Sequence, residues 1–240
     1  MVKFVLRHGD PYDFVIRENL ESQIWIDWSV RASIRDRLLK IAQEFIEFLE
    51  FVEEDAVLDI QFTGSLANFN YTKYSDIDLH VIVDISKIDE NEDLVKNYLK
   101  SKKNYWNSTH DIRIKDYEVE LYAQDSKESH ASTGVYSLLH DKWVIKPSRV
   151  KFTFDYEQIY SKVKNFQQHY YFLKKQKPLD YKKIEGLRSR LIKMRRSGLQ
   201  RGGEFSNENL AFKVMRRIGL IGKIIKLKNE AYDQDMSLNS

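Results

Sequence analysis

Residues 62–84 read "FTGSLANFNYTKYSDIDLHVIVD", and the fold turns on this stretch. From Ile77 to Val83 apolar residues dominate in the pattern of a strand bound for a core. Two aspartates, Asp76 and Asp78, stand at its mouth, two residues apart. Side chains alternate across a strand, so both carboxylates project from one face, roughly 6–7 Å apart along the chain. Like charges that close repel, and burying them is costly unless something positive compensates.

Just before it, "AVLDIQF" (56–62) is a second β-rich run, ending at Gly64-Ser65, and a polar loop joins it to the aspartate strand. Further upstream, Ile34, Leu38, Ile41, Phe45 and Leu49 recur at helical spacing between about Val30 and Phe51, with charged residues between them. This amphipathic helix requires a sheet to cover its stripe. Downstream, "NEDLVKNYLKSKKNYW" (91–106) predicts a second helix, with Leu94, Tyr98 and Tyr105 on its apolar side. "DIRIKDYEVELYAQ" (111–124) predicts two short strands around Lys115-Asp116, and "GVYSLLHDKWVIKP" (134–147) another pair around His140-Asp141. The fold class is α/β, a mixed sheet with flanking helices.

After Pro147 the character changes. Ile159, Val163, Phe166, Tyr170 and Leu173 mark one helix, and Ile184, Leu187, Leu191 and Met194 a second. "GLQRGGE" (198–204) predicts a break, Ser206 caps a third helix through Arg217, and Gly219 leads into a last one. A C-terminal helical bundle over 151–240 therefore follows a sheet domain over 1–150.

Charge divides the same way. The net charge is +3, but residues 1–150 carry 19 Lys and Arg against 27 Asp and Glu, and residues 151–240 carry 20 against 9. The acidic half suits cations and the basic half polyanions. The chain has no cysteine, which excludes a disulfide framework, a thiolate nucleophile and Cys-ligated zinc. No apolar run approaches the ~18 residues of a membrane span. The N-terminus lacks a signal peptide's apolar segment, so a cytoplasmic protein with no membrane partner is expected.

A pair of carboxylates on one strand face is a site for hard divalent cations, which take oxygen ligands and cancel the repulsion. Two such ions ~3.5–4 Å apart clamp the attacking and leaving oxygens of an in-line phosphoryl displacement. Two aspartates rarely hold two ions, so a third carboxylate is expected on a neighbouring strand. Glu120, between Val119 and Leu121, is the first choice, Glu118 the second and Asp111 the third. Gly64 permits close backbone approach to a phosphate, and Ser65 offers a hydroxyl and a backbone N–H.

Gly-Ser, ten residues, then Asp-hydrophobic-Asp-hydrophobic resembles the signature of the DNA polymerase β-like nucleotidyltransferase superfamily. The resemblance covers about residues 30–125. It implies transfer of a nucleoside monophosphate from an NTP, ATP foremost, with pyrophosphate released and two Mg²⁺ or Mn²⁺ ions as cofactors. By that resemblance Asp76 and Asp78 bind both ions, and Glu120 joins them at the ion nearer the acceptor. The segments "HASTGVYS" and "GGEFSNENLAFKVMRRIG" also resemble nucleotidyltransferase-like proteins of large tailed phages, which implies the host cell's cytoplasm but no substrate.

Further candidates surround this core. Lys73 in the loop, and Ser132, Thr133 and Tyr136 after the third carboxylate, are placed to meet the nucleotide, and His130 is a candidate base. Arg195, Arg196, Arg216 and Arg217 lie in a basic cluster suited to triphosphate or a nucleic-acid backbone. The acceptor expected first is a nucleic-acid 3′ end such as RNA or tRNA. Nucleotidylation of a protein, as by a toxin or regulator, and synthesis of a small molecule or second messenger are the alternatives. A degenerate, non-enzymatic nucleotide-binding fold is disfavoured because all three carboxylates are present.

Overall fold

The computed structural model describes residues 10–50, 52–129 and 132–237. Among them the first elements are β1 (Trp25–Ile26), β2 (Ser29–Val30), α1 (Ala32–Phe48), β3 (Val57–Thr63), β4 (Ile77–Val83) and α2 (Glu92–Thr109). They are followed by β5 (Arg113–Ile114), β6 (Tyr117–Asp125), β7 (Val135–Ser137) and β8 (Lys142–Ile145). The helices α3 (Tyr156–Lys174), α4 (Tyr181–Gly202), α5 (Asn207–Arg217) and α6 (Leu220–Met236) complete the chain. Val15–Lys151 form one compact unit; Phe152 onward forms a second, together with the segment ending at Phe14.

The first unit holds a mixed sheet in the order β5-β6-β4-β3-β7-β8. β4 and β6 are parallel, and α2 lies in the long connection that a parallel pair needs; the other neighbours run antiparallel. Alternation sets the two faces. Ile77, Leu79, Val81 and Val83 of β4 and Val119, Leu121 and Ala123 of β6 are buried, in one cluster with Ile34, Leu38, Ile41 and Phe45 of α1. Each such fully buried aliphatic side chain contributes about 1.5–3 kcal/mol.

On α2 the buried stripe is Val95, Leu99 and Trp106, one residue along from the expected one. Leu94 and Tyr105 are 59% and 61% exposed. Both triplets keep helical spacing, and only docking on the sheet chooses between them.

The second unit is a helical bundle with the expected four segments. Asp155, Asp180 and Ser206 cap α3, α4 and α5 by accepting from the N–H groups of Gln158, Lys183 and Asn209. The break expected over 198–204 comes late, because α4 continues through Gly202. Gly198 lies inside that helix where a Cβ would come within 2.5 Å of Glu208 Cβ and 2.8 Å of Ser206 Oγ, so this glycine serves the close α4–α5 crossing.

Residues 10–14, expected within the 1–150 block, depart from expectation: Phe14, with Tyr12 beside it, packs with the helices. Tyr156 Oη donates to the Phe14 carbonyl at 3.0 Å, and Arg217 Nη1 donates to that of Pro11 at 2.7 Å.

Candidate active site

Strand register builds the centre of the site. Thr63 pairs with Asp78 across the antiparallel β3–β4 ladder, and Asp78 pairs with Glu120 across the parallel β4–β6 ladder. Because Ile77, Leu79, Val119 and Leu121 face the helices, this row of Thr63, Asp78 and Glu120 lies on the opposite face. Both carboxylates are only partly buried there. Asp76 immediately precedes β4.

Register also separates the candidates for a third carboxylate. Glu118 pairs with Arg113 of the edge strand β5, whose Nη2 lies 3.7 Å from its carboxylate. Arg113 Nε holds Asp111 at 2.9 Å. The Arg113 guanidinium thus lies beside both Glu118 and Asp111, while the β4–β6 register sets Glu120 beside Asp78. Among the described residues no group of three or more His, Cys, Asp or Glu side chains is arranged to hold a metal ion. Two carboxylates side by side are nonetheless an all-oxygen donor pair, which fits a hard divalent cation.

The Gly64–Ser65 turn closes on this pair. Gly64 has φ +79° and ψ −162°, a conformation open to glycine, and a Cβ there would stand 1.8 Å from Asp78 Oδ2. Ser65 Oγ donates to Ser75 Oγ at 2.7 Å, and Ser75 Oγ also accepts from the Thr72 N–H at 3.0 Å. The turn is thereby tied to the residue just before Asp76. Lys73 is exposed in the same loop, its ammonium 5.0 Å from the centre of the Tyr74 ring.

The segment after β6 comes to the same turn. Ser132 Oγ donates to the Gly134 carbonyl at 2.9 Å, and Thr133 Oγ1 donates to Asn68 Oδ1 at 2.9 Å. His130 lies outside the described residues. Tyr136 is a correction to the expected nucleotide contacts: it is 1% exposed, its ring packs edge-on to Trp25 and Trp143, and its hydroxyl donates to Asp141 at 2.6 Å. Burial, and then the bond to Asp141, push its pKa up. It belongs to the core.

Two asparagines that the sequence did not single out hold this region. Asn68 is buried and bonds the turn on one side and Ser132 and Thr133 on the other. Asn107 of α2 receives the Leu121 N–H at 3.0 Å and donates to the Leu121 carbonyl at 2.9 Å, satisfying the β6 backbone beside Glu120. Asn68 lies four residues after Gly64, a local signal. Asn107 has none, since only the approach of α2 to β6 brings it there.

In the helical unit the arginines divide. Arg195 Nε donates to Asn209 Oδ1 at 3.3 Å, and its guanidinium lies 4.4 Å from the centre of the Phe212 ring. Burial, with Arg216 nearby, pulls its pKa down. Arg195 as a whole residue, like Arg196 and Arg216, is nonetheless exposed. Arg217 is a correction to the expected polyanion contacts: besides the Pro11 carbonyl, it lies 4.7 Å from the centre of the Phe14 ring. It secures the N-terminal segment.

Residues 43–196, more than half of the chain, match the family described as "Nucleotidyltransferase domain". The chain belongs to this family, and it is a nucleotidyltransferase. A curated relative, coiled-coil domain-containing protein 146 of Rattus norvegicus, is 25% identical over 171 residues. The match covers 71% of this chain, but this chain spans only about 16% of that relative's length. Among solved structures, a STING-associated CdnE c-di-GMP synthase from Capnocytophaga granulosa is similar at 15% identity, covering 86% of this chain and 84% of that chain. Its TM-score is 0.24, too low to carry an argument about this site.

Proposed function

We propose that the chain moves a nucleoside monophosphate from an NTP, ATP foremost, to an acceptor hydroxyl in a metal-dependent reaction. The observation that carries this reading is the direct pairing of Asp78 with Glu120 beside the Gly64–Ser65 turn. Asp76, Asp78 and Glu120 would hold two divalent ions, Mg²⁺ or Mn²⁺. When bound, such ions supply charge neutralisation and lower the pKa of a coordinated hydroxyl. The acceptor oxygen bonds to the α-phosphorus, the bond to the bridging oxygen breaks, pyrophosphate leaves, and the hydroxyl proton passes to water.

The chain's own residues provide position. Gly64 allows the backbone to approach the triphosphate, and Ser65 lies beside it in a turn held by Ser75. Lys73 stands in the same loop as a flexible cation for phosphate. Ser132 and Thr133, bonded to Gly134 and Asn68, border the turn and line the nucleotide.

The acceptor we favour is a nucleic-acid 3′ end. Its support is the charge of residues 151–240, 20 Lys and Arg against 9 Asp and Glu, with Arg195, Arg196 and Arg216 as the contacts. Among the described residues no helix is long and apolar enough to cross a membrane.

The test is to incubate the purified chain with Mg²⁺ or Mn²⁺, each labelled NTP in turn, and total RNA, and then to ask what carries the label. Label in RNA supports the reading. Label in protein or in a soluble small product overturns the acceptor and leaves the transfer class. No incorporation with any NTP overturns both.

A further inference from the structure

We propose that Asn68 is a positioning residue that joins the Gly64–Ser65 turn and the Ser132–Gly134 segment into one nucleotide-binding element. This rests on the reading that the turn receives the triphosphate. Asn68 is 6% exposed, and its amide is used on both sides. Nδ2 donates to the Gly64 carbonyl at 2.8 Å and to Ser132 Oγ at 3.2 Å, while Oδ1 accepts from Thr133 Oγ1 at 2.9 Å. A buried primary amide has two N–H donors, and here both are engaged.

The backbone repeats the connection. A Cβ on Gly134 would lie 2.0 Å from the Ala67 carbonyl oxygen, so the segment touches the turn where only glycine fits. The Gly134 carbonyl also accepts from Thr63 Oγ1 at 3.2 Å and from Ser132 Oγ at 2.9 Å. Thr63 is the β3 partner of Asp78. One buried side chain therefore links the glycine beside the Asp78 carboxylate to a segment more than sixty residues later in the chain.

Asn68 thus holds the Gly64 carbonyl, and with it the positive-φ conformation on which close approach to a phosphate depends. It also fixes Ser132 and Thr133 at the turn, so a ligand that orders the turn orders both segments. Asn68 itself need not touch the nucleotide.

The experiment measures three quantities on the full chain and its Asn68→Ala and Asn68→Asp variants. They are the affinity for a non-hydrolysable ATP analogue, the affinity for Mn²⁺ alone, and amide hydrogen exchange with and without the analogue. The aspartate keeps size and the acceptor for Thr133 but loses both donors. Both variants should bind the analogue about tenfold more weakly, the effect of losing a buried hydrogen bond, with Mn²⁺ affinity unchanged. In the parent the analogue should slow exchange in residues 63–68 and 132–134 together; in the variants only the first stretch should respond.

Analogue affinity within twofold of the parent in Asn68→Asp, or protection still shared between the two stretches, overturns the proposal. The double variant Ser132→Ala, Thr133→Val removes both bonds from Asn68 to the segment while leaving Asn68 itself in place, so it must uncouple the protection even where the Asn68 variants fold poorly. Ser65→Ala separates the levels. If it and the Asn68 variants all bind the analogue normally, the turn is not the triphosphate site; if Ser65→Ala alone weakens binding, only the role of Asn68 fails.

Discussion

Asp78 and Glu120 are direct partners across the parallel pair of strands β4 and β6, so two carboxylates stand side by side on the sheet face away from its helices. Each supplies carboxylate oxygens to a hard divalent cation, so Asp78→Asn and Glu120→Gln should abolish transfer and weaken Mn²⁺ binding. Asp76→Ala should be as inactive. Activity within about tenfold of the parent in any of the three would remove that residue from the site.

Gly64→Ala places a Cβ against Asp78 Oδ2 in a backbone conformation, φ +79°, that alanine rarely adopts. Stability should drop by about 1–3 kcal/mol, and activity should fall with it as Asp78 is displaced. An unchanged denaturant midpoint would show that the turn relaxes at no cost.

The arginines separate by measurement. Arg217→Gln breaks the bond to the Pro11 carbonyl and should lower stability by about 1–3 kcal/mol without changing RNA affinity. Arg196→Gln and Arg216→Gln should do the reverse, each flattening the log–log salt dependence of RNA binding by about 0.7 for every phosphate it no longer neutralises. Binding that ignores salt in the parent protein would end the nucleic-acid assignment.

Asn107→Leu strips the Leu121 peptide of both its hydrogen bonds on the side facing α2. A loss of about 1–3 kcal/mol is expected, with Asn107→Asp, which keeps the acceptor for the N–H, falling between. Chemical denaturation of the three proteins gives the order. Equal stabilities would mean that water replaces the amide.

Acid should weaken the helical unit through His169. Arg190 Nη2 lies 2.9 Å from His169 Nδ1, so the guanidinium donates to an imidazole that must keep that lone pair. Burial first, then Arg190, hold the folded pKa below the ordinary 6.5. The folded state thus binds its proton at lower pH than the unfolded chain. The stability this provides is complete above about pH 6.5 and is lost as pH falls through the lowered folded value. The loss between pH 7 and 5 should be small, under about 1 kcal/mol at a site only partly buried, and absent in His169→Asn. An identical pH dependence of the melting temperature in both proteins would contradict it.

Legible in the sequence alone was whatever is local. Alternation through Ile77–Val83, the helical stripe of α1 and the glycine-serine turn before two aspartates are patterns of neighbouring residues, and they led to the mixed sheet, the four C-terminal helices and the carboxylate candidates. Whatever depends on the meeting of residues far apart in the chain was left to the tertiary fold. Glu118 and Glu120 have the same alternation, and only the β4–β6 register with Arg113 at the edge separates them. Leu94 and Val95 are equally apolar, and only the docking of α2 buries the second. Tyr136 and Arg217 look available to a ligand until an aromatic cluster and the Pro11 carbonyl engage them. Asn68 and Asn107 are ordinary polar residues until folding surrounds them with backbone groups in need of partners. Side-chain period is a property of one element, but hydrogen-bond partners and burial belong to the packing of several, and no local pattern encodes that packing.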